Sequence, residues 1–344
     1  MKGVKFDGLH SYDEWGLILV EKELKSPDIK THTVEIEGSN GVLDFTDFFG
    51  AVKYENRKLS FKFIKTNIVP DGFLSLYSLV QETLHGKKMQ VILDDDPAWF
   101  YYGRVSINDW KSNKGIGEIV IEVDAEPFKG KVQRSSHLAS LCGKNLINLD
   151  TIQVRSSGTW TKIETGYSYV RGSTVINSYG AFIVPLQAGK TYTLSANRTI
   201  VGDSPPMIIY KDRLYGTIVA RGSDSVTFTP EETAYYAIAL IANSSTEAIT
   251  FSNLMLAEES TVGEYEPYTS SEHTISTFLE NLKMPSVPDI YSMEDVTLTN
   301  GEETYVAKAG EILHQEEFEL KEGLNQFNIT GTGVVVFDWQ EGGL

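Results

Sequence analysis

Polar and apolar residues alternate along much of the first 128 positions with the two-residue period of half-buried strands. In "RKLSFKFIK" Leu59, Phe61 and Phe63 fall on one side and Lys58, Ser60 and Lys62 on the other; "GEIVIEVDAEPF" repeats the scheme with Ile119, Ile121 and Val123. Both stretches predict sheet faces. One segment changes period: in "PDGFLSLYSLVQETLHGKK" the residues Phe73, Leu76, Tyr77, Val80 and Leu84 form a stripe at helical spacing. Asp71 is placed to cap that helix, Gly86 to end it, and His85, Lys87 and Lys88 lie at the negative end of its dipole. The stripe predicts a helix lying on a sheet rather than an open groove.

The texture shifts at about position 143. Ser and Thr become frequent, and short strands recur between turn signals in "YGAFIVPL", "KTYTLSAN", "PMIIYKD", "SVTFTPE", "AYYAIALIA" and "AITFSNLMLAE", which predicts a β-sandwich of the jelly-roll kind. The stretch "FSNLMLAEESTVGEYEPYTSS" then reads as a closing strand and a tail that ends on Tyr265 and Tyr268, although more chain follows. Residues 272–344 hold an Asn300-Gly301 hairpin signal and a Gly-flanked strand in "GTGVVVFDW", too few strands for a stable sandwich alone. A strand from "EPFKGKVQRSSHLASL" would complete it. The predicted architecture is therefore mainly β. Residues 1–130 form an N-terminal sandwich-like domain with one helix, 131–142 and 269–344 form a discontinuous C-terminal sandwich, and 143–268 form a jelly-roll inserted into it.

At 344 residues, 41% hydrophobic and 22% charged, the chain has the size and composition of several folded domains. Its net charge of −17, from 47 acidic and 30 basic residues, repels phosphate backbones and anionic lipid, which disfavours a nucleic-acid binder; acidity also serves solubility and names no partner. The single cysteine, Cys142, excludes an intrachain disulfide. No apolar run has the length of a signal peptide or membrane span, so folding in a reducing cytoplasm and no membrane partner are expected.

A search for chemistry finds no G-x-S-x-G, glycine-rich phosphate loop, H-E-x-x-H or C-x-x-C pattern, and the six histidines are scattered with no i, i+4 pair. They read as surface or helix-end residues. The acidic runs Asp94-Asp95-Asp96, Glu302-Glu303 and Glu316-Glu317 read as solvated loops, because neighbouring acids on a strand face opposite ways; a carboxylate pair assembled from distant segments, as glycoside hydrolysis requires, stays open. Asp150 and Asp212 lack the loop of converging oxygens that a hard cation needs. No catalytic residue, metal or cofactor is expected.

The aromatic residues of 143–268 point to a different chemistry. Sugars are held by stacking their C–H faces on Trp or Tyr rings and by hydrogen bonds from Asp, Asn, Gln and Arg. Trp160, Tyr167, Tyr169, Arg171, Tyr179, Tyr210, Arg213 and Tyr215 are the candidates, with Glu164, Asn177 and Asp212 interleaved. The competing reading of each tyrosine is sandwich core, which fits Tyr192 beside Leu194. Tyr167 and Tyr169 share a strand face with Arg171, which favours exposure.

The opening "GVKFDGLHSYDEWGLILVE", the helix "GFLSLYSLVQETLHGKK" before "MQVILDDDPAWFYYGRV", the closure "DAEPFKG" and the terminal "GLNQFNITGTGVVVFDWQEGGL" resemble the distal tail proteins of long, flexible-tailed bacteriophages. The middle block is similar to a carbohydrate-binding module in "GKNLIN", "LQAGKTYTLSA" and "LMLAEESTVGEYEPY", as in the evolved type of that family. The resemblance implies a non-enzymatic hub at the virion tail tip, a baseplate component assembled in the bacterial host cytoplasm. It implies a hexameric ring of N-terminal domains joining the tail tube protein to the tail-associated hub or lysin and other baseplate proteins, a galectin-like C-terminal sandwich, and DNA only passing through the lumen. The module would bind host cell-wall saccharide. "IEGSNGVLDFTDFFGAVKYENRK" suits an arm that closes such a ring through Phe45, Phe48 and Phe49, or an ordinary hairpin packed on its own sheet. Two other function classes stay open: a cell-wall glycan hydrolase with an attached sugar-binding module, and a free-standing lectin-like adhesin.

Overall fold

The structure, a computed structural model, describes the whole chain except residues 1, 39, 49, 67–69, 114, 157, 171–177, 200–206, 243–248 and 302, and the side chains of 70, 71 and 113. It is mainly β, built from antiparallel sheets. Apart from the hairpin Thr33–Glu35 with Val42–Asp44, the N-terminal strands run in one continuous sheet, to whose Trp99–Asn113 strand Lys129–Lys131 is added, itself paired with Gly342–Gly343. The order of the sheet is Leu9–His10, Val4–Phe6, Lys88–Leu93, Trp99–Asn113, Ile116–Ala125, Arg57–Lys65 and Ile18–Leu24. The two-residue alternation places Leu59, Phe61, Phe63, Ile119, Ile121 and Val123 in one buried cluster, and the helix Pro70–Leu84 lays Phe73, Val80 and Leu84 onto it.

Gly86 ends the helix in the left-handed region (φ 78°) and donates its N–H to the Val105 carbonyl at 2.8 Å. Asp71's side chain lies outside the described residues. His85 is more than a helix-end residue. Its Nδ1 accepts from the Ile107 amide at 3.0 Å and splices the helix terminus to the sheet. A short helix, Ser11–Trp15, which the hydrophobic pattern does not reveal, is capped by His10 Nδ1 accepting from Asp13 N at 3.3 Å and closed by Gly16 at φ 63°.

The C-terminal residues form two further sheets. One runs Ser135–Leu141, Gly333–Trp339, Asp289–Ser292, Ile312–Leu313; the other runs His273–Asn281, Gly323–Gly331, Val296–Asn300, Glu303–Ala307. Leu141, Leu279, Leu298, Phe318, Phe327 and Phe337 fill the space between them. Ser135–Leu141 pairs along its whole length with Gly333–Trp339, from Ser135↔Trp339 to Leu141↔Gly333. Arg134 ties this seam, donating to the Asp338 carboxylate through Nε and to Asp289 Oδ2 through Nη2 at 2.8 Å.

Between these partners the chain leaves and returns at one place. Cys142 bridges Ser270, and Gly143 N donates to Thr269 O at 2.8 Å. The excursion contains two five-stranded sheets. The first runs Gln153–Arg155, Ser178–Leu186, Ala234–Ala242, Met207–Lys211, Ile218–Gly222; the second runs Thr159–Ile163, Gly166–Val170, Ile249–Ala257, Tyr192–Arg198, Ser225–Phe228. Phe182, Tyr192, Ile238, Leu240 and Phe251 are wholly buried between them. Asn145 stitches the start of this unit to its end. Its Nδ2 donates to Leu254 O and Glu266 O, and its Oδ1 accepts from the Leu256 and Ile147 amides. The core continues into the C-terminal sandwich through Tyr291, Met293, Val334 and Val336, so the two sandwiches share apolar surface.

Candidate ligand-binding face

The eight aromatic and arginine candidates fall into two groups and one residue, Arg171, outside the described chain. Trp160, Tyr167 and Tyr169 sit on the strands Thr159–Ile163 and Gly166–Val170, and the second of these is an inner strand, flanked on its other side by Ile249–Ala257. Their alternate side chains therefore enter the space between the sheets. Tyr167 and Tyr169 are 4% and 2% exposed, the Trp160 ring stacks on Phe251 at 6.1 Å, and both tyrosine hydroxyls are bonded inside, to Leu149 O and to Ser178 Oγ at 2.7 Å. The expectation that these two tyrosines face a ligand is corrected: they are core. Trp160 is half-buried against them, with Nε1 buried and bonding no described residue.

Tyr179, Tyr210 and Tyr215 are brought together on the opposite, outer face of the first sheet. Register fixes what that face carries, because residues paired across strands share a side. One row is Gln153, Ala181, Ala239, Ile208 and Arg221; a second places Arg155 beside Tyr179. Ala181, Ala237 and Ala239 make a floor of methyl groups in the middle of the sheet.

Small residues there leave room for the turn Asp212–Gly216 to fold down onto the sheet. Asp212 (φ 67°) and Tyr215 (φ 66°) both occupy the left-handed region, which side-chain-bearing residues rarely adopt, and Gly216 has no space for a Cβ, which would lie 2.1 Å from Lys211 O. The turn is pinned by Asp212 N to Tyr235 O and Lys211 N to Thr217 O, both 2.8 Å. Its strain holds the Tyr215 ring 4.9 Å from Tyr179 and 6.2 Å from Tyr210, with the Arg155 guanidinium 5.1 Å above it.

Tyr210 is buried beneath this lid, whereas Tyr215 is 46% exposed and Tyr179 half-buried. Burial, followed by their tyrosine neighbours, raises the Tyr210 and Tyr215 hydroxyls above the ordinary phenol value, against the pull of Arg221 and Arg155 respectively. The phenols stay neutral donors at physiological pH. Core tyrosines such as Tyr167, Tyr192, Tyr235 and Tyr236 spend their hydroxyls on protein partners, but those of Tyr179, Tyr210 and Tyr215 bond no described residue. Arg213 is exposed in the turn beside them.

The sequence does not single out Arg155 or Arg221. Neither lies in a motif, and only strand pairing places them on the aromatic face.

The remaining candidates are dispersed. Phe45 packs edge-on against Phe48 at 5.7 Å, Phe48 is 70% exposed, and Phe49 lies outside the described residues. The hairpin beside them, Thr33–Glu35 with Val42–Asp44, is a two-stranded sheet of its own with Val34, Val42 and Leu43 exposed. The acidic run at 94–96 is engaged in side-chain pairing: Asp94 with His10 at 2.9 Å, Asp95 with Lys22, and Asp96 with Lys129 at 3.2 Å. Among the described residues no group of three or more His, Cys, Asp or Glu is arranged to hold a metal ion, and no helix is long and apolar enough to cross a membrane.

No family model and no curated protein matches the chain. Among solved structures, the crystal structure of SPP1 Dit (gp 19.1), described as a paradigm of hub adsorption apparatus in phages infecting Gram-positive bacteria, aligns over 100% of both chains with a TM-score of 0.42 and 11% identity. A likeness at that level carries no argument about this chain.

Proposed function

We propose that the chain is a structural hub of the distal-tail type from a flexible-tailed phage, carrying an inserted sandwich that binds host-surface saccharide on its outer tyrosine face. The observation that carries this reading is the closed excursion: one complete two-sheet unit leaves and re-enters a sandwich at the Gly143–Thr269 contact, while Ser135–Leu141 keeps its pairing with Gly333–Trp339. An insertion of that form adds a binding surface without altering the scaffold. The resemblance of both chain ends to distal tail proteins gives the scaffold its role. Six copies form a ring at the tail tip, joining the tube to the other baseplate proteins, with DNA passing through an acidic lumen. The exposed Val34, Val42 and Leu43 of the hairpin strands, with Phe48, supply apolar surface for closing such a ring.

The outer face offers what a sugar needs: a half-exposed ring for stacking and hydroxyl donors that bond no described residue. Six such faces gain avidity on one cell wall, so each binds modestly. Two experiments test the reading. Negative-stain images of the purified protein are expected to show sixfold rings; monomers alone, also in the presence of the tube protein, would refute the hub. Tyr215→Ala and Tyr179→Ala are expected to weaken retention on host cell walls at least about tenfold with rings intact; retention unchanged in both would refute the face.

A further inference from the structure

The chemistry of the face narrows its ligand. We infer that the outer tyrosine face recognises an anionic glycan, a polymer bearing carboxylate or phosphate groups, an inference that rests on the saccharide reading above and deepens it. Three observations converge. Arg155 and Arg221 stand on the two edge strands of the five-stranded sheet, with the aromatic and alanine floor between them. Four interstrand steps separate those edges, about 19 Å at the usual strand spacing, which suits an extended chain lying across the strands with anions at intervals.

The second observation is the state of these cations. Arg155, Arg213 and Arg221 make no ion pair with a described carboxylate, whereas Lys144, Lys162, Lys190, Lys211 and Arg198 of the same sandwich are each paired. A guanidinium beside aromatic rings with no described carboxylate partner is poised for bidentate bonding to an oxyanion. Tyr215 itself is held by Arg155, so a ring for stacking and a fork for an anion occupy one spot.

The third is charge distribution. Residues 143–268 hold nine basic and twelve acidic residues, a net of −3 out of the −17 of the whole chain, and five of the eight arginines. The repulsion that the chain presents to polyanions is therefore concentrated elsewhere. Asp212, in the turn, is the nearest carboxylate in sequence to Tyr215; it acts on Lys211 and Tyr236 and is absent from the influences on Tyr210 and Tyr215. Among the described residues the aromatic face thus presents cations and neutral donors.

The test is affinity electrophoresis of the full chain through gels containing polygalacturonate, phosphomannan, neutral dextran or single-stranded oligothymidylate. The expected result is retardation by polygalacturonate or phosphomannan, the retaining gel identifying the anion. Raising salt from about 50 to about 500 mM is expected to weaken it. Arg155→Gln with Arg221→Gln is expected to lower the affinity at least about tenfold, with near-ultraviolet circular dichroism unchanged; Arg155→Lys with Arg221→Lys is expected to keep part of it. Retardation by dextran alone, unaffected by the double glutamine variant, would overturn the anion inference and leave the saccharide reading standing. Retardation strongest with oligothymidylate would overturn it in favour of a nucleic acid. Mobility unchanged in every gel would overturn both readings.

Discussion

Beside the shared apolar surface, one buried phenol bonds across the seam between the two sandwiches. Tyr235 projects from the inserted sandwich, its hydroxyl accepting from the Ser292 amide at 3.0 Å and donating to the Glu311 carbonyl at 2.8 Å, with its ring 5.5 Å from Tyr291. Burial pushes this phenol up to about 12. Tyr235→Phe keeps the ring and deletes only the hydroxyl. Ser292 is wholly buried, so its N–H would be left without a partner, whereas Glu311 is exposed and its carbonyl can turn to water. An unsatisfied buried donor costs about 1–3 kcal/mol, and with the carbonyl re-solvated about 2 kcal/mol is expected. The assay is hydrogen exchange of the Ser292 and Met293 amides. A local loss of that size accelerates exchange about 30-fold, while amides of the N-terminal sheet, such as Phe61, keep their rates. Unchanged exchange at Ser292 would refute the claim that this hydroxyl secures the Ser292 backbone at the seam.

Other predictions follow from the same geometry. Trp160→Ala, which empties a site packed by Tyr169 and Phe251, is expected to destabilise the inserted sandwich by about 3 kcal/mol in chemical unfolding, the signature of a core residue. Tyr215→Asn, which suits the left-handed backbone at φ 66°, is expected to stay within about 1 kcal/mol of the parent in the same assay while losing glycan retention. Burial raises Asp338 above 3.8 against the attraction of Arg134, so its contribution to stability is complete below that value and lost as pH rises through the lifted one. Urea unfolding of the parent and Asp338→Asn should therefore show the parent losing ground to the variant as pH rises from 3.8 through the raised value; a constant difference would contradict the assignment. Arg134→Met leaves the buried Asp338 without its cation and is expected to cost about 2–3 kcal/mol, below the fully buried case because Arg134 is partly exposed.

Much of the scaffold is legible in the chain because burial on one side of a strand or helix imposes a period. Leu59, Phe61 and Phe63 declare a face, as do Phe73, Val80 and Leu84, and Asn300-Gly301 marks the turn between Val296–Asn300 and Glu303–Ala307. Alternation states which residues share a side; it does not state what will cover that side. Tyr167 and Tyr169 illustrate the gap. Their shared face with Arg171 favoured exposure, yet an inner strand position turned both rings into the sandwich.

The outer tyrosine face is partly legible for the opposite reason. Tyr210 and Tyr215 flank a turn, and turn-borne aromatics are visible in "IYKDRLYG". Arg155 was not, because the strand Gln153–Arg155 is too short to show a period, and its neighbour Tyr179 is supplied by pairing across distant sequence. Arg221 reached the face only through its register with Ile208, next to a bulge that sequence does not announce.

The central claim is that an inserted sandwich presents saccharide-binding chemistry on its outer sheet. A crystal structure of the full chain with an oligosaccharide from the polymer that retains it tests this most directly. The account predicts a sugar ring against Tyr215 and its anionic group within bonding distance of Arg155 or Arg221. Electron density for the sugar on any other surface, with the Tyr179–Tyr215 face unoccupied at saturating ligand, would contradict it.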